Sequence, residues 1–146
     1  MNLKMLGALV VGALALAGAS QATAPLILAQ PVAVGHMKAT TIHAQTGAVV
    51  LDSIKIKPGG NFGWHTHGAP VAVVVTGGTL TVFDASVNGC APFKVSNGQS
   101  FVEPANHVHL ARNDGKKTVT LYAMYLGLPN PASANAVAAK PASCSA

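Results

Sequence analysis

The pattern of hydrophobic and polar positions changes character three times along the chain. Residues 5–19 form an unbroken apolar run. From about residue 39 to residue 127 the sequence breaks into short β-branched runs separated by Gly, Pro and Asn. The last stretch, PNPASANAVAAKPASCSA, is rich in small residues and carries no periodic apolar face, so it is expected to be irregular. In the middle region, runs of Val, Ile and Thr bounded by turn residues predict strands. The expected strands are Ala39–Gln45, Val49–Lys57, Val71–Thr76, Thr79–Asp84, Ser100–Val102, His107–Arg112 and Thr118–Leu126. Lys55-Ile56-Lys57 alternates as a half-exposed strand does. Gly77-Gly78 lies between two such runs at hairpin spacing, and Asn97-Gly98 and Asn113-Asp114-Gly115 mark further turns. Outside the first run no segment shows a helical period. Short strands at this spacing predict an all-β domain, either a sandwich or a small barrel.

The ends of the chain carry different signals. Lys4 precedes the apolar run, and the small residues Ala17, Ala19, Ser20 and Ala22 follow or close it. A basic start, an apolar middle and small residues before a cut site describe a secretory signal, here residues 1–22, with cleavage after Ala19 or Ala22. The run is shorter than the roughly 20 residues that span a bilayer. The mature protein is therefore expected to be periplasmic or secreted, with no stable membrane insertion. Residues 23–38, with Pro25 and Pro31, read as an extended arm, residues 39–127 as the folded domain and residues 128–146 as a tail. A chain of 146 residues suits one domain.

Composition adds exclusions. Nine basic residues face four acidic ones, and loss of Lys4 with the signal leaves eight against four. The only close basic pairs, Lys55 with Lys57 and Lys116 with Lys117, make no continuous stripe of the kind nucleic acid requires. Cys90 and Cys144 can be a disulfide or two free thiols, and an oxidising exported setting favours the disulfide. Such a bridge ties the tail to the loop around Cys90.

The mature chain holds six histidines, His36, His43, His65, His67, His107 and His109. Four fall in two His-x-His pairs, His65-Thr66-His67 and His107-Val108-His109. Positions i and i+2 of a strand face the same side, so each pair can present two imidazoles to one ion. On a helix the same spacing splays them apart. Neutral imidazole suits zinc, copper, iron and nickel.

The residues around these pairs sharpen the reading. Pro58–Gly78, PGGNFGWHTHGAPVAVVVTGG, resembles the first motif of the cupin superfamily, with Gly59 or Gly60 opening it, His65 and His67 in its His-x-His, and Gly77 or Gly78 closing it. Gly98–Asn113, GQSFVEPANHVHLARN, resembles the second, with Gly98, Pro104, His109 and Asn113 in place. The resemblance covers about Ala39–Leu126. It implies a small double-stranded β-helix, the jelly-roll cupin barrel. It also implies one divalent transition metal (Fe, Mn, Zn, Cu or Ni) held by His65, His67 and His109.

Two departures matter. The motif-one glutamate falls at Val71 or Ala72, neither of which can bind a metal, so a neutral three-His site remains, or a site that has lost its metal. Asn106 replaces a glycine, and Asn tolerates a positive φ better than most residues. His107 is either a further ligand or, preferably, a turn residue at the mouth. Glu103 is either a general base in the pocket or, preferably, a solvated strand end. Glu103 and His107 are the only candidates for catalytic residues. Asn113 is expected to fix a loop or a ligand from behind the site. Phe62, Trp64, Tyr122 and Met124 are candidate wall residues. The expected function is that of an exported metal-binding cupin, either an oxidoreductase of the dioxygenase kind, a non-catalytic module for a small ligand or metal, or a structural protein with a vestigial site. The expected partners are a small molecule and, as in many cupins, a second copy in a homodimer.

Overall fold

Among the described residues every regular element beyond single helical turns is a strand. A computed structural model describes residues 29–146, so the expected signal and the first part of the arm lie outside the described residues. The strands are β1 (Ala48–Ile56), β2 (His65–Thr66), β3 (Val71–Gly77), β4 (Thr79–Asp84), β5 (Phe93–Ser96), β6 (Ser100–Glu103), β7 (His109–Arg112), β8 (Val119–Leu128) and β9 (Ala136–Val137). They form a four-stranded sheet in the order β1-β8-β3-β6 and a five-stranded sheet in the order β5-β4-β7-β2-β9. All the ladders are antiparallel. This is the all-β, double-stranded β-helix architecture expected from the motifs.

Alternation along β3 and β8 builds one side of the core. In β3, Val71, Val73 and Val75 point inward while Ala72 and Val74 are only half-buried. In β8, Val119, Leu121, Ala123 and Tyr125 are buried and alternate with Thr120, Tyr122 and Met124. These inward rows meet Leu80, Val82, Val95 and Ala111 of the other sheet in one cluster. Each fully buried Val or Leu stabilises the fold by about 1.5–3 kcal/mol.

The structure corrects the sequence reading in four places. Ala39–Gln45 forms no strand; the segment is irregular and mostly exposed, with no ladder partner. Its β-branched content fails because strand preference depends on packing against neighbours. Instead the arm attaches by a single parallel bridge, His36 to Gln99. Gly77-Gly78 is not a hairpin: β3 and β4 belong to different sheets, so the chain turns a corner between them. The register of β3 on β8 slips between Val75 and Gly77 at this corner. β2, β5 and β9 were not expected, being only two to four residues long. The tail is ordered rather than irregular: Pro131–Ser133 make a helical turn capped by Asn130, and β9 pairs with β2.

Gly78 has φ +72°, and an added Cβ would lie 2.9 Å from the Thr118 carbonyl oxygen and 3.1 Å from Val119 Cα. Both neighbours are backbone and cannot rotate away. Gly78→Ala is expected to destabilise the protein by more than about 1 kcal/mol, read as a lower urea midpoint with an unchanged slope.

Candidate metal centre

The segment that carries the first two histidines is laid along β7 before it becomes a strand. Gly59 N donates to Asn113 O, Asn113 N donates to Gly60 O, and Phe62 N donates to Ala111 O. Between the Asn61–Arg112 bridge and the next pair the register shifts by one residue, and His65 then lies directly opposite His109. Residues directly opposite in an antiparallel pair share a face, with Cβ atoms about 4.5–5.5 Å apart. His67 follows two residues after His65 and returns to that same face. The three rings meet accordingly, with centroids 4.3 Å apart for His65 and His109, 4.8 Å for His67 and His109, and 6.1 Å for His65 and His67. All three side chains are buried.

Each ring is fixed by a backbone carbonyl two residues away in the chain. His65 Nδ1 donates to Gly63 O at 3.1 Å, His67 Nδ1 to Ala69 O at 2.7 Å, and His109 Nδ1 to His107 O at 2.9 Å. A carbonyl can only accept, so Nδ1 carries the proton in every ring and Nε2 of the neutral ring keeps its lone pair. One ligand nitrogen from each ring lies within 4.8 Å of the others. Nitrogens bound to one ion at about 2.1 Å lie at most about 4.2 Å apart. The widest pair must therefore draw in by at least about 0.6 Å, and by more than about 1 Å for right-angle or tetrahedral geometry, before all three bind one ion. The buried Nε2 of His109 has no hydrogen-bond partner among the described residues. A buried, orphaned lone pair is costly unless something electropositive fills the space beside it.

Glu103 belongs to this site and is not a solvated strand end. It closes β6, its side chain is only 13% exposed, and its carboxylate oxygens lie 3.3 Å from His67 Nε2 and 3.5 Å from His109 Nε2. Proline follows it and holds it extended, and burial among the rings prevents it from turning to solvent. The other candidates are placed elsewhere. His107 precedes β7, is 38% exposed, and turns away to Ser86 Oγ at 2.8 Å. Ser86 Oγ also donates to Asp84 Oδ1 at 2.6 Å. The hydroxyl stands between carboxylate and imidazole, which is the wrong order for a relay that activates a nucleophile. Asn113 is fully buried and ties the β7–β8 loop down, donating to Ile56 O and Lys117 O and accepting from Gly115 N. It touches none of the three histidines among its hydrogen bonds. Asn106 takes φ +63°, and its N–H donates to His67 O, so the turn keeps its shape without glycine.

The walls differ in part from expectation. A cavity of about 30 Å³ lies among Phe62, His65, Glu103, Tyr125 and Asn135. Tyr122 and Met124 face the opposite side of the sheet, next to Leu51 and Val74. The strand was read one residue out of phase, which swaps every side chain to the other face. Trp64 packs instead with Phe83, Leu110 and the cystine. Tyr125, missed in the sequence, stands edge-on to His67 with centroids 5.7 Å apart, and its hydroxyl donates to Asn135 Oδ1 at 3.4 Å. Burial raises its pKa, so the phenol keeps its proton. A larger open cleft, about 570 Å³ between the arm and β5–β6, contains none of the three histidines.

The tail closes the site. β9 pairs Val137 with His65 and Ala136 with Thr66, and Ala138 N donates to Trp64 O. The disulfide between Cys90 and Cys144 then anchors the end of the tail, with Cα atoms 5.0 Å apart.

Residues 53–125 match the cupin domain family. Among curated proteins none matches the chain. Among solved structures the chain is similar to Peruvianin-I, a cysteine peptidase from Thevetia peruviana latex, at 23% identity and TM-score 0.53, covering 64% of this chain and 57% of that one. It is similar to a recombinant oxalate oxidase in complex with glycolate, at 26% identity and TM-score 0.51, covering 61% and 45%. It is also similar to an RmlC-like cupin family protein from Methanocaldococcus jannaschii with a double-stranded β-helix fold, at 15% identity and TM-score 0.52, covering 61% and 81%. The chain spans about half the length of the first structures it matches.

Two outcomes follow from this geometry. Burial lowers the His65 pKa below 6.5; the Gly63 carbonyl opposes that shift and the neighbouring His109 reinforces it. The unfolded chain then binds the proton first as pH falls, so stability due to His65 is present above about pH 6.5 and is lost below it. Urea unfolding of the metal-free protein is expected to show a smaller loss of midpoint between about pH 7 and pH 5 in His65→Gln than in the wild type. Cys144→Ser removes a bridge spanning 54 residues of sequence, and is expected to lower the unfolding free energy by about 2–4 kcal/mol.

Proposed function

The chain belongs to the cupin family, and on that footing we propose that it is an exported metalloprotein that uses His65, His67 and His109 to bind one divalent transition metal for oxidoreductase chemistry on a small molecule. The observation that carries this reading is the convergence of three buried imidazoles whose Nδ1 atoms are all committed to backbone carbonyls. That commitment leaves three Nε2 lone pairs aimed into one space, a donor set suited to iron, zinc, copper or nickel and compatible with manganese. When bound, the ion supplies Lewis-acid or redox chemistry.

The residues around it have separate tasks. The three carbonyls hold each ring in the ligating tautomer and orientation. Phe62, ring centroid 5.7 Å from that of His65, and Tyr125 provide an apolar wall that lowers the local dielectric. Asn135, next to β9, lines the cavity beside the histidines. The similarity to an oxalate oxidase bound to glycolate supports an oxidative reaction on a small carboxylate or similar chelating molecule. The disulfide and the signal-like first 22 residues support export to an oxidising compartment. Among the described residues no helix is long and apolar enough to cross a membrane.

A second reading, a non-catalytic metal-binding module, is favoured by one observation. The cavity beside the histidines, about 30 Å³, has room for an ion and little else unless the tail moves.

Metal analysis of the purified mature protein tests the site. The wild type is expected to hold about one equivalent, and His109→Ala less than about a tenth; equal content in the two proteins refutes the assignment. Oxygen uptake with small dicarboxylates, diketones, thiols and phenols separates the readings. Turnover that disappears in His109→Ala establishes the enzyme, whereas a loaded protein that consumes no oxygen favours the binding module.

A further inference from the structure

Two imidazole Nε2 atoms and one carboxylate crowd together at the site, and the Nδ1 of each ring already donates elsewhere. Because Nδ1 of His67 and of His109 donates to a carbonyl, the Nε2 of each neutral ring presents a lone pair. The Glu103 carboxylate presents two more acceptors, 3.3 Å from His67 Nε2 and 3.5 Å from His109 Nε2. Two acceptors at such distances repel unless a proton or a cation lies between them. Donors bound to one ion at about 2.1 Å lie about 3.0 Å apart at a right angle and about 3.4 Å apart at the tetrahedral angle. The observed separations are those of donors sharing one ion.

The strand register explains why this carboxylate is available. Glu103 pairs directly with Val71 across the β3–β6 ladder, so the two residues lie on the same face of the sheet. Val71 is fully buried and apolar. The carboxylate that β3 lacks is thus presented by the neighbouring strand at the same level of the barrel. Glu103 is the only glutamate in the chain, and its carboxylate reaches both His67 and His109.

We infer that Glu103 is the fourth protein ligand of the site, delivered from β6 to the same ion as His65, His67 and His109. The site is then three imidazoles and one carboxylate, and a divalent ion in it keeps a single net positive charge instead of two. This rests on the metal-binding reading above.

Cobalt(II) alone serves as the probe, since its visible absorption reports the number and type of donors and its affinity is measured against a competing chelator. Glu103→Gln keeps the shape of the side chain and removes its charge; Glu103→Asp keeps the charge and shortens the reach. Glu103→Gln is expected to weaken cobalt binding more than about tenfold and to shift the visible bands, with Glu103→Asp intermediate. A change in affinity alone fits a carboxylate acting from behind the ligands and overturns the inference. A wild type that binds cobalt, with unchanged bands and affinity in whichever variants fold as judged by circular dichroism, also overturns it while leaving the three-His site standing. A wild type that binds no cobalt overturns both.

Discussion

The pairing of His65 with His109 is the constraint on which the rest of the site depends. One ladder position joins a two-residue strand to a four-residue strand. From it follow the shared face of the two rings, the return of His67 to that face, and the tautomer that each ring takes from a carbonyl two residues away. A slip of one residue in this register turns each ring to the opposite face and disperses the cluster. So short a strand cannot hold its register alone. The hydrogen bonds from Gly59 to Phe62 keep the preceding segment alongside β7, and β9 pairs with the other edge.

Much of the barrel was legible in the sequence because the long strands are β-branched, apolar runs bounded by turn residues. β1, β3, β4 and β8 lie within two residues of where the apolar pattern puts them, and β4 matches it at both ends. The two His-x-His pairs were equally legible as a site, since strand spacing puts paired imidazoles on one face. What stayed hidden depended on partners distant in sequence. Ala39–Gln45 has strand composition but no ladder to join, whereas β5, with only Val95 fully buried, has one in β4. The corner at Gly77-Gly78 has the spacing of a hairpin, and only the division of β3 and β4 between sheets shows otherwise.

Glu103 illustrates the same limit at the site. By its own neighbourhood, before a proline and at a strand end, it reads as solvated. Its burial comes from the histidines, which approach from the other sheet. The phase of β8 was a subtler case. Thr120 and Tyr122 alternate with Leu121 and Ala123 in a segment apolar on both sides, so the pattern alone did not tell Tyr125 from Met124 as the inward residue.

The tail was read as loose and is in fact the outer layer of the site, which has a consequence for folding. His65 pairs with a residue 44 positions later and with another 72 positions later, and β1 closes on β8 across most of the domain. Contacts of such sequence separation form slowly, because loop closure must precede them. The ligand cluster is therefore assembled late. The three rings are not gathered until strands from both halves of the chain have met. An ion that binds there does so as a guest of a nearly finished barrel and not as the template around which the barrel forms.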